Sequence, residues 1–345
     1  MKVRSLAAVI ASLLLGCVAA RPPAMPYSKP DATTEARAAA SVNASPAALA
    51  GYLASLKGQK KHVLTGQISS YWHSNALDNV EKVTADAGLT PAMTEVVLTQ
   101  GVGGGMVGST QVGVAVANQA LAKGMIVIVA VSGKDPFTDA YDKVRPLSLA
   151  PLYTPGNQYY TRWRTYLANW AAQLKQIKGA VIWQPFGEMN GDWSWFGADD
   201  PIEFQNLWRD MRAYFDAAGV KNIVWLYSVN SLVGKYTAYY AGGQFVDLVG
   251  MHSYPPSPKD FDMYNALQPL GKPILYAEAG VVGPVNPPPP PNAGDNGQLL
   301  ATVVADFPDV VGVDIFCLGW ALPVQNGEKA FMTNAAALTL SDLPH

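Results

Sequence analysis

Eight short apolar runs, separated by amphipathic segments, constrain what this chain of 345 residues can fold into more than any other feature. Each run is apolar almost throughout, which is typical of strands in a parallel sheet that is covered on both faces. Eight such strands alternating with helices predict an α/β protein with a (β/α)8 TIM barrel in a single domain. The runs are HVLTGQ, TEVVLTQ, MIVIVAVS, AVIWQPFGE, NIVWLYSVN, FVDLVGMHSY, PILYAEAG and VVGVDIFCLGW.

Two of the connecting segments carry clear helix signals. In DDPIEFQNLWRDMRAYFDAAG, Asp200 is placed to cap the helix, Pro201 to begin it and Gly219 to end it. In TRWRTYLANWAAQLKQI, the apolar residues recur at helical spacing and form one stripe, as a helix that packs on a sheet requires. That stripe consists of Trp163, Tyr166, Leu167, Trp170, Leu174 and Ile177.

The N-terminal residues 1–20 predict an export signal. The basic start MKVR precedes the apolar segment LAAVIASLLLG, which has the length of a signal-peptide core. LLGC, ending at Cys17, resembles a bacterial lipobox, in which the cysteine is lipidated after cleavage; ordinary cleavage near Ala20 is the alternative. We therefore expect an exported protein, either a cell-envelope lipoprotein or a secreted one. Residues 21–45, rich in Pro and Ala, would be a tether, and residues 46–345 the barrel domain.

The balance of charge excludes some classes of partner. A net charge of −2 gives no electrostatic reason to expect binding to nucleic acid or to an anionic membrane surface. No later stretch reaches the roughly 18 uninterrupted apolar residues of a transmembrane helix, so only the possible lipid anchor would contact a membrane. With Cys17 cleaved off or acylated, Cys317 has no partner for a disulfide and is expected in the core. We expect a monomer.

Polar residues stand where the apolar runs end, which is where a barrel of this class carries its active site. Glu188 and Glu278 would end the fourth and seventh strands, across the barrel mouth from each other. The complete set is Gln67, Ser132, Glu188, Asn230, His252 with Tyr254, Glu278 and Trp320. Since an apolar strand gains no stability by ending in a carboxylate, the repeated placement favours one shared site.

Two carboxyl groups flanking a bond are what glycoside hydrolysis requires: one protonates the leaving oxygen, and the other attacks the anomeric carbon or activates water. Glu278, held directly after ILYA, would be the fixed nucleophile. Glu188 lies among aromatic residues, so desolvation would raise its pKa, as a general acid requires. The structural alternative is that each glutamate only caps a strand or pairs with a Lys or Arg.

Aromatic residues near these glutamates predict a surface for sugar rings, whose C–H faces stack on indoles. Trp193, Trp195 and Trp320 fall in predicted loops at the carboxyl ends of strands, and Trp72 is a weaker candidate after the first strand. The alternative is that these rings pack against neighbouring helices.

The chain resembles the retaining β-glycanases of glycoside hydrolase family 26, which are mostly endo-β-mannanases. The resemblance rests on PFGEMNGDWSWFG, IVWLYSVN, YYAGGQFVDLVGMHSY and KPILYAEAG in that order, with FCLGW after them, and it extends from about Gly58 to Trp320. It implies that Glu188 is the acid/base and Glu278 the nucleophile. By the same resemblance Trp193 lines the site, Tyr254 hydrogen-bonds the nucleophile and Trp320 is a sugar platform. Asn190, in the same motif, and His252 complete the predicted substrate-binding set.

The sequence departs from the family pattern beside the acid/base. Gly187 and Gln184 occupy positions where the family usually has His and Arg, and Ser132 and Gly133 stand where it commonly has a Trp-His pair. The catalytic pair is retained, whereas the residues that would line the sugar site are not. His252 could supply a replacement imidazole; a structural role is the alternative.

Two other segments invite functional readings. Gly103–Gly108, GGGMVG, matches a dinucleotide-binding pattern, but the next strand ends in Ser132 instead of the required acid, so we expect no cofactor and interpret this segment as a loop. The proline run Asn286–Asn292 could fence one end of a cleft or be an inert loop. No cysteine and histidine cluster has zinc spacing, and we expect no metal.

Together these patterns predict an exported retaining endo-β-glycanase that hydrolyses β-1,4-mannan-type polysaccharide. Two alternatives stay open: a hydrolase of another β-glycan, such as a 1,3-xylan, a mixed-linkage glucan or an exopolysaccharide, and a surface glycan-binding lipoprotein that has lost catalysis.

Overall fold

A computed structural model describes residues 41–69, 77–99, 110–140, 148–197, 200–254, 258–282 and 289–344. Several predictions fall outside these ranges: the export signal with Cys17, most of the tether, Trp72, the glycine-rich segment Gly103–Gly108 and the beginning of the proline run. They stay predictions.

Eight parallel strands close into a barrel, as the sequence predicts. They follow one another in chain order from β2 to β8, and β1 lies between β8 and β2. A ninth short strand adds to β1 in parallel. The strands are β1 Val63–Gln67, β2 Met93–Thr99, β3 Ile126–Ser132, β4 Val181–Gln184, β5 Ile223–Asn230, β6 Leu248–Ser253, β7 Ile274–Ala279, β8 Val310–Ile315 and β9 Ala337–Leu338.

Helices surround the barrel and connect its strands. In α5 the predicted stripe is buried from Trp163 to Leu174, and Ile177 is buried just after the helix. Asp200 caps α6 by accepting from the backbone N–H groups of Ile202 and Glu203, as predicted. The helices are α1 Pro46–Ser55, α2 Asp78–Ala87, α3 Thr110–Ala122, α4 Ala150–Tyr153, α5 Gln158–Leu174, α6 Pro201–Ala217, α7 Pro258–Leu267, α8 Asn296–Asp306 and α9 Glu328–Met332. Within the described ranges, no helix combines the length and apolarity needed to cross a membrane.

The barrel interior is apolar at the amino-terminal ends of the strands. Inward-facing residues such as Leu64, Ile182 and Leu275 form one buried cluster there. Leu49 and Leu53 of α1 belong to the same cluster, so this helix covers that end of the barrel. The carboxyl ends of the strands are left for the polar residues.

Candidate active site

Glu188 lies in the loop after β4, four residues beyond Gln184, so the prediction that it ends the fourth strand is wrong: Pro185, which has no backbone N–H to donate to a neighbouring strand, follows Gln184. Its backbone adopts a positive φ of 59°, a conformation that is uncommon for a residue with a side chain and that is concentrated at functional sites. The backbone N–H of Glu188 donates to the carbonyl of Ser228 on β5 at 3.2 Å. The loop therefore directs the carboxylate over the barrel mouth instead of outward along the strand direction.

Two side chains donate hydrogen bonds to the Glu188 carboxylate. Trp193 Nε1 donates to Oε2 at 2.8 Å, and Asn230 Nδ2 donates to Oε1 at 2.6 Å. Gly191 makes the first contact possible, because a Cβ at that position would lie 2.4 Å from the Trp193 ring. Trp193 is partly exposed, as a residue lining a cleft would be.

Asn190 is fully buried, and its amide is used by the protein itself. Nδ2 donates to the carbonyls of Asn230 and Gly234, and Oδ1 accepts from the backbone N–H of Asn230 at 2.8 Å. These contacts fix the backbone of Asn230, which in turn holds Glu188. We therefore correct the prediction that Asn190 contacts substrate. Its amide nitrogen and oxygen already form hydrogen bonds within the protein, which the sequence alone does not reveal.

Glu278 lies on β7, where the pairing with β6 is irregular. Met251 pairs with Tyr276, but the next residue, His252, pairs with Glu278, so Ala277 is passed over. Such bulges re-aim a side chain next to an active site. The Tyr254 hydroxyl donates to Glu278 Oε1, which is the contact that the family resemblance implies for the nucleophile.

The two carboxyl groups lie close together with an imidazole between them. His252 Nδ1 is 3.4 Å from Glu188 Oε1 and 3.6 Å from Glu278 Oε2. One oxygen of each carboxylate and this nitrogen all lie within 4.8 Å of one another. Retaining glycosidases hold their two carboxyl groups about 5–5.5 Å apart, whereas inverting enzymes separate them by about 6.5–9.5 Å. The arrangement therefore suits direct attack by one carboxylate.

The charges of this group shift its pKa values. Burial lowers the pKa of His252, but the charges of Glu278 and Glu188 outweigh burial and raise it to about 9. Burial also raises the pKa of Glu278, with Glu188 adding to the effect and His252 opposing it. Burial of Tyr254 and the neighbouring Glu278 charge raise the pKa of its phenol well above the usual value, so the hydroxyl keeps its proton.

The prediction of a raised pKa for Glu188 is wrong. Burial does push this pKa upward, but His252, Asn230 and Trp193 favour the charged form and together lower it. Sequence reasoning counted the rings as apolar surface. It did not count the indole N–H as a donor, nor the imidazole. The pKa values of the two carboxyl groups are therefore shifted in opposite directions, downward for Glu188 and upward for Glu278.

The two remaining predicted rings differ in their surroundings. Trp195 is only 5 % exposed and packs in the outer core, with its ring edge against Trp163 and Phe186. We therefore correct the prediction that it faces a sugar. Trp320 lies beside Tyr254, with 5.7 Å between ring centroids, and its Nε1 donates to the carbonyl of Val282. Trp320 therefore lies at the site, but neighbouring residues bury most of its surface. Its role as a sugar platform stays a prediction.

Sequence reasoning missed a polar level beneath the carboxylates. Gln184 Nε2 donates to Glu95 Oε2 at 3.2 Å, and Gln184 Oε1 is 3.4 Å from His252 Nε2. Asp314, fully buried on β8, belongs to the same level; Gly66 leaves the space for it, since a Cβ there would lie 2.6 Å from Asp314 Oδ1. The available signal was one acid inside each of the apolar runs TEVVLTQ and VVGVDIFCLGW.

Glu188, His252 and Glu278 also have the donor types and spacing that could hold a metal ion. The same arrangement also fits the predicted pair of catalytic carboxylates, with an imidazole between them. The expectation that no metal is needed stays a prediction.

Comparison with known proteins gives one family match. The sequence profile of Glycosyl hydrolase family 26 matches residues 40–287. The chain is similar to mannan endo-1,4-beta-mannosidase A and B of Caldalkalibacillus mannanilyticus, with 32% identity over 174 residues, 46% of this chain and 32% of the relative. It is also similar to a mannan endo-1,4-beta-mannosidase of Bacillus subtilis strain 168, with 22% identity over 186 residues, 51% of this chain and 50% of the relative. The chain thus spans a third to a half of the length of these relatives.

Solved structures share the fold over nearly all of their length. A Bacillus subtilis mannanase superimposes with a TM-score of 0.75 at 19% identity, covering 87% of this chain and 95% of that one. A protein named GH26A from Muricauda superimposes with a TM-score of 0.70 at 21% identity, covering 86% and 96%. At this level of identity the likeness shows the barrel fold.

Proposed function

This chain belongs to glycosyl hydrolase family 26, and we propose that it is an endo-acting enzyme that hydrolyses β-1,4-mannan-type polysaccharide by double displacement with retention of configuration. The observation that carries the proposal is the short separation of Glu188 and Glu278 at the carboxyl end of the barrel, within 4.8 Å. The mannan substrate is suggested by relatives named as mannan endo-1,4-beta-mannosidases.

In the first step Glu278 attacks the anomeric carbon as a carboxylate. The bond to the departing sugar breaks, and its oxygen takes the proton of Glu188, leaving a glycosyl ester on Glu278. In the second step Glu188 takes a proton from water, whose oxygen attacks the anomeric carbon; the bond between that carbon and Glu278 breaks, and Glu278 leaves as a carboxylate. The Tyr254 hydroxyl donates to Glu278 and orients it for attack.

Contacts in the site support this division of roles. Glu278 is held on a strand and by a tyrosine hydroxyl, as a nucleophile that must keep its position requires. Glu188 is held by Trp193 and Asn230, on a loop beside a partly exposed ring. Both donors stabilise the carboxylate form, which is the form that must act as base in the second step.

Azide rescue tests both the function and the roles. Glu278→Ala should lose turnover of β-mannan and recover activity on an activated aryl mannoside with azide, giving an α-glycosyl azide. Glu188→Ala should give the β-glycosyl azide instead. The exposed Glu81 on α2 offers a matched control, and Glu81→Ala should retain wild-type activity. Full mannanase activity in Glu278→Ala would contradict the proposal, and exchanged azide products would reverse the roles.

The substrate is tested by screening β-glycans for release of reducing ends. We expect the largest release from β-1,4-mannan. Larger release from a 1,3-xylan or a mixed-linkage glucan would keep the reaction and replace the sugar. Binding without release from any glycan would make the chain a glycan-binding protein.

We also propose that the protein is exported and anchored by a lipid on Cys17, on the sequence signal alone. Mass spectrometry of the mature N-terminus should find a diacylated cysteine, and Cys17→Ala should leave the signal uncleaved by the lipoprotein pathway. An unmodified N-terminus just after Ala20 would show ordinary secretion.

A further inference from the structure

His252 occupies a position that the double-displacement scheme does not itself require. Its side chain is 2 % exposed, so water cannot solvate a charge on it. Its Nδ1 has no partner in hydrogen-bond geometry among the described residues, and its charged neighbours are Glu188 Oε1 and Glu278 Oε2. Burying a polar nitrogen between two acids destabilises the folded state unless the nitrogen interacts with both of them.

The strand pairing puts His252 between the supports of the two acids. On one side it pairs with Asn230, whose amide holds Glu188. On the other side the bulge after Met251 makes it pair with Glu278. Without that shift in register, Ala277 would stand opposite His252 and the acid would be one position further along. The fold therefore aligns this imidazole with both carboxylates.

A second set of contacts fixes the ring. His252 Nε2 lies 3.4 Å from Gln184 Oε1, and Gln184 Nε2 donates to Glu95 Oε2 at 3.2 Å. Because the Gln184 amide nitrogen is engaged by Glu95, its oxygen faces the ring and can accept only from an N–H. This leaves Nδ1 directed at the carboxylates. Gly187 lies beside the ring, and a Cβ there would be in ordinary van der Waals contact with His252 Cε1 at 3.5 Å.

We propose that His252 is a positioning residue that couples the two catalytic carboxylates through Nδ1, with Gln184 and Glu95 fixing the ring. The proposal rests on the proposed function of the same pair. It reassigns His252, which the sequence suggested as a substrate-binding residue.

The coupling supplies a path by which a proton on Glu278 can pass to Glu188. The imidazolium gives its Nδ1 proton to Glu188, and the freed Nδ1 then takes the proton of Glu278. One N–H bond breaks and one forms, the ring ends as it began, and Glu278 is left ionised beside a protonated Glu188. Nδ1 lies 3.4 Å from Glu188 Oε1 and 3.6 Å from Glu278 Oε2, so a small movement brings it within hydrogen-bond length of either oxygen.

The charge of the ring also sets the working pH. The titratable groups facing it are Glu188 after β4, Glu278 on β7 and Glu95 on β2, while Tyr254 reaches it through Glu278. A positive charge between two acids makes each release its proton more readily. Removing it should therefore move both the acidic and the basic limb of the pH–rate profile to higher pH.

His252→Asn keeps a short N–H donor but can neither carry the charge nor pass the proton. We expect kcat on the preferred β-glycan to fall about 100-fold, with KM changed much less, and both limbs of the kcat/KM profile to move to higher pH. His62 is the matched control, because it is also buried but lies before β1 at the far end of the barrel. His62→Asn should leave the position of both limbs unchanged. Unmoved limbs in His252→Asn, or limbs moved to lower pH, would overturn the proposal.

A measurement without activity separates this inference from the proposed function. Nitrogen NMR of the wild-type imidazoles should show one of the four histidines still protonated at pH 7.5, and Glu278→Gln should lower the pH at which that ring titrates. All four rings neutral at pH 7.5 would overturn the coupling even in an active enzyme. A protonated ring in a chain that releases no sugar would leave the coupling standing while the proposed function fails.

Discussion

Two levels of the barrel interior, two residues apart along the strands, differ completely in chemistry. The lower level, nearer the strand starts, is apolar and includes Leu64, Met93, Ile182, Leu226 and Leu275. The upper level, nearer the strand ends, is polar: it begins with Glu95, Gln184 and Ser228 on these strands, and it continues to Glu278 after the bulge on β7 and to Glu188 after β4. The lower level fills space as any core does, whereas the upper level buries groups that are costly unless they are paired.

The upper level contains groups that do not stabilise the fold. Neither carboxylate oxygen of Asp314 has a hydrogen-bond partner among the described residues. Burial raises its pKa well above the usual value, and the charges of Glu95 and Glu278 add to this. Buried acids near a catalytic pair are a common sacrifice of stability at active sites. The difference teaches that the lower level determines stability and the upper level determines reactivity.

The largest expected effect comes from a substitution in the upper level that should lower activity without lowering stability. Glu188→Gln should lower kcat on mannan about 10³-fold, because no proton reaches the leaving sugar, while the melting temperature changes little. On an aryl mannoside whose leaving group needs no proton, the first step should be far less affected. A large drop in melting temperature would show that Glu188 is also structural and would weaken the comparison.

A change in the lower level should do the reverse. Leu275→Ala removes a fully buried side chain and should lower the free energy of unfolding by about 3 kcal/mol. Since Leu275 belongs to the apolar cluster, kcat measured well below the melting temperature should stay within about twofold of wild type. Leu232→Ala, at a side chain that is 41% exposed, is the control and should change stability by less than about 0.5 kcal/mol. Lost activity at low temperature in Leu275→Ala would break the separation of levels.

The smallest expected effect is a gain in stability when a buried acid of the upper level, Asp314, is replaced. The folded chain keeps a proton on Asp314 that the unfolded chain releases above its ordinary pKa near 4, so Asp314 makes stability fall as pH rises from there. Asp314→Asn removes that linkage and should stabilise the protein by about 1 kcal/mol at pH 7, with little difference near pH 4. Urea unfolding at the two pH values measures it, and an equal effect at both would contradict the assignment.

The fold and the meeting of Glu188 and Glu278 at one end of the barrel were predictable because each depends on patterns along the chain. The apolar runs gave all eight barrel strands, and Glu188 and Glu278 follow from polar residues placed where such runs end. The polar interior level was not predictable in the same way. On β4 the outward residues Val181 and Trp183 are apolar, so the inward change from Ile182 to Gln184 is hidden in a continuous run.

The details of the site depend on geometry that spacing does not encode. The pairing of His252 with Glu278 arises from a bulge, and a shift of one residue would have broken it. Trp193 and Trp195 are two residues apart, yet one donates to Glu188 and the other packs in the core. Composition places rings near the acid, but only the loop path decides which of them reaches it.

The configuration of the first product shows whether Glu278 attacks the anomeric carbon directly while Glu188 acts as the acid/base. Proton NMR can follow the anomeric signals of a mannooligosaccharide from the first minutes of hydrolysis, before mutarotation. We expect the newly formed reducing end to appear first as the β-anomer, because two displacements restore the original configuration. Initial release of the α-anomer would show a single displacement by water and would contradict the role of Glu278 as the nucleophile.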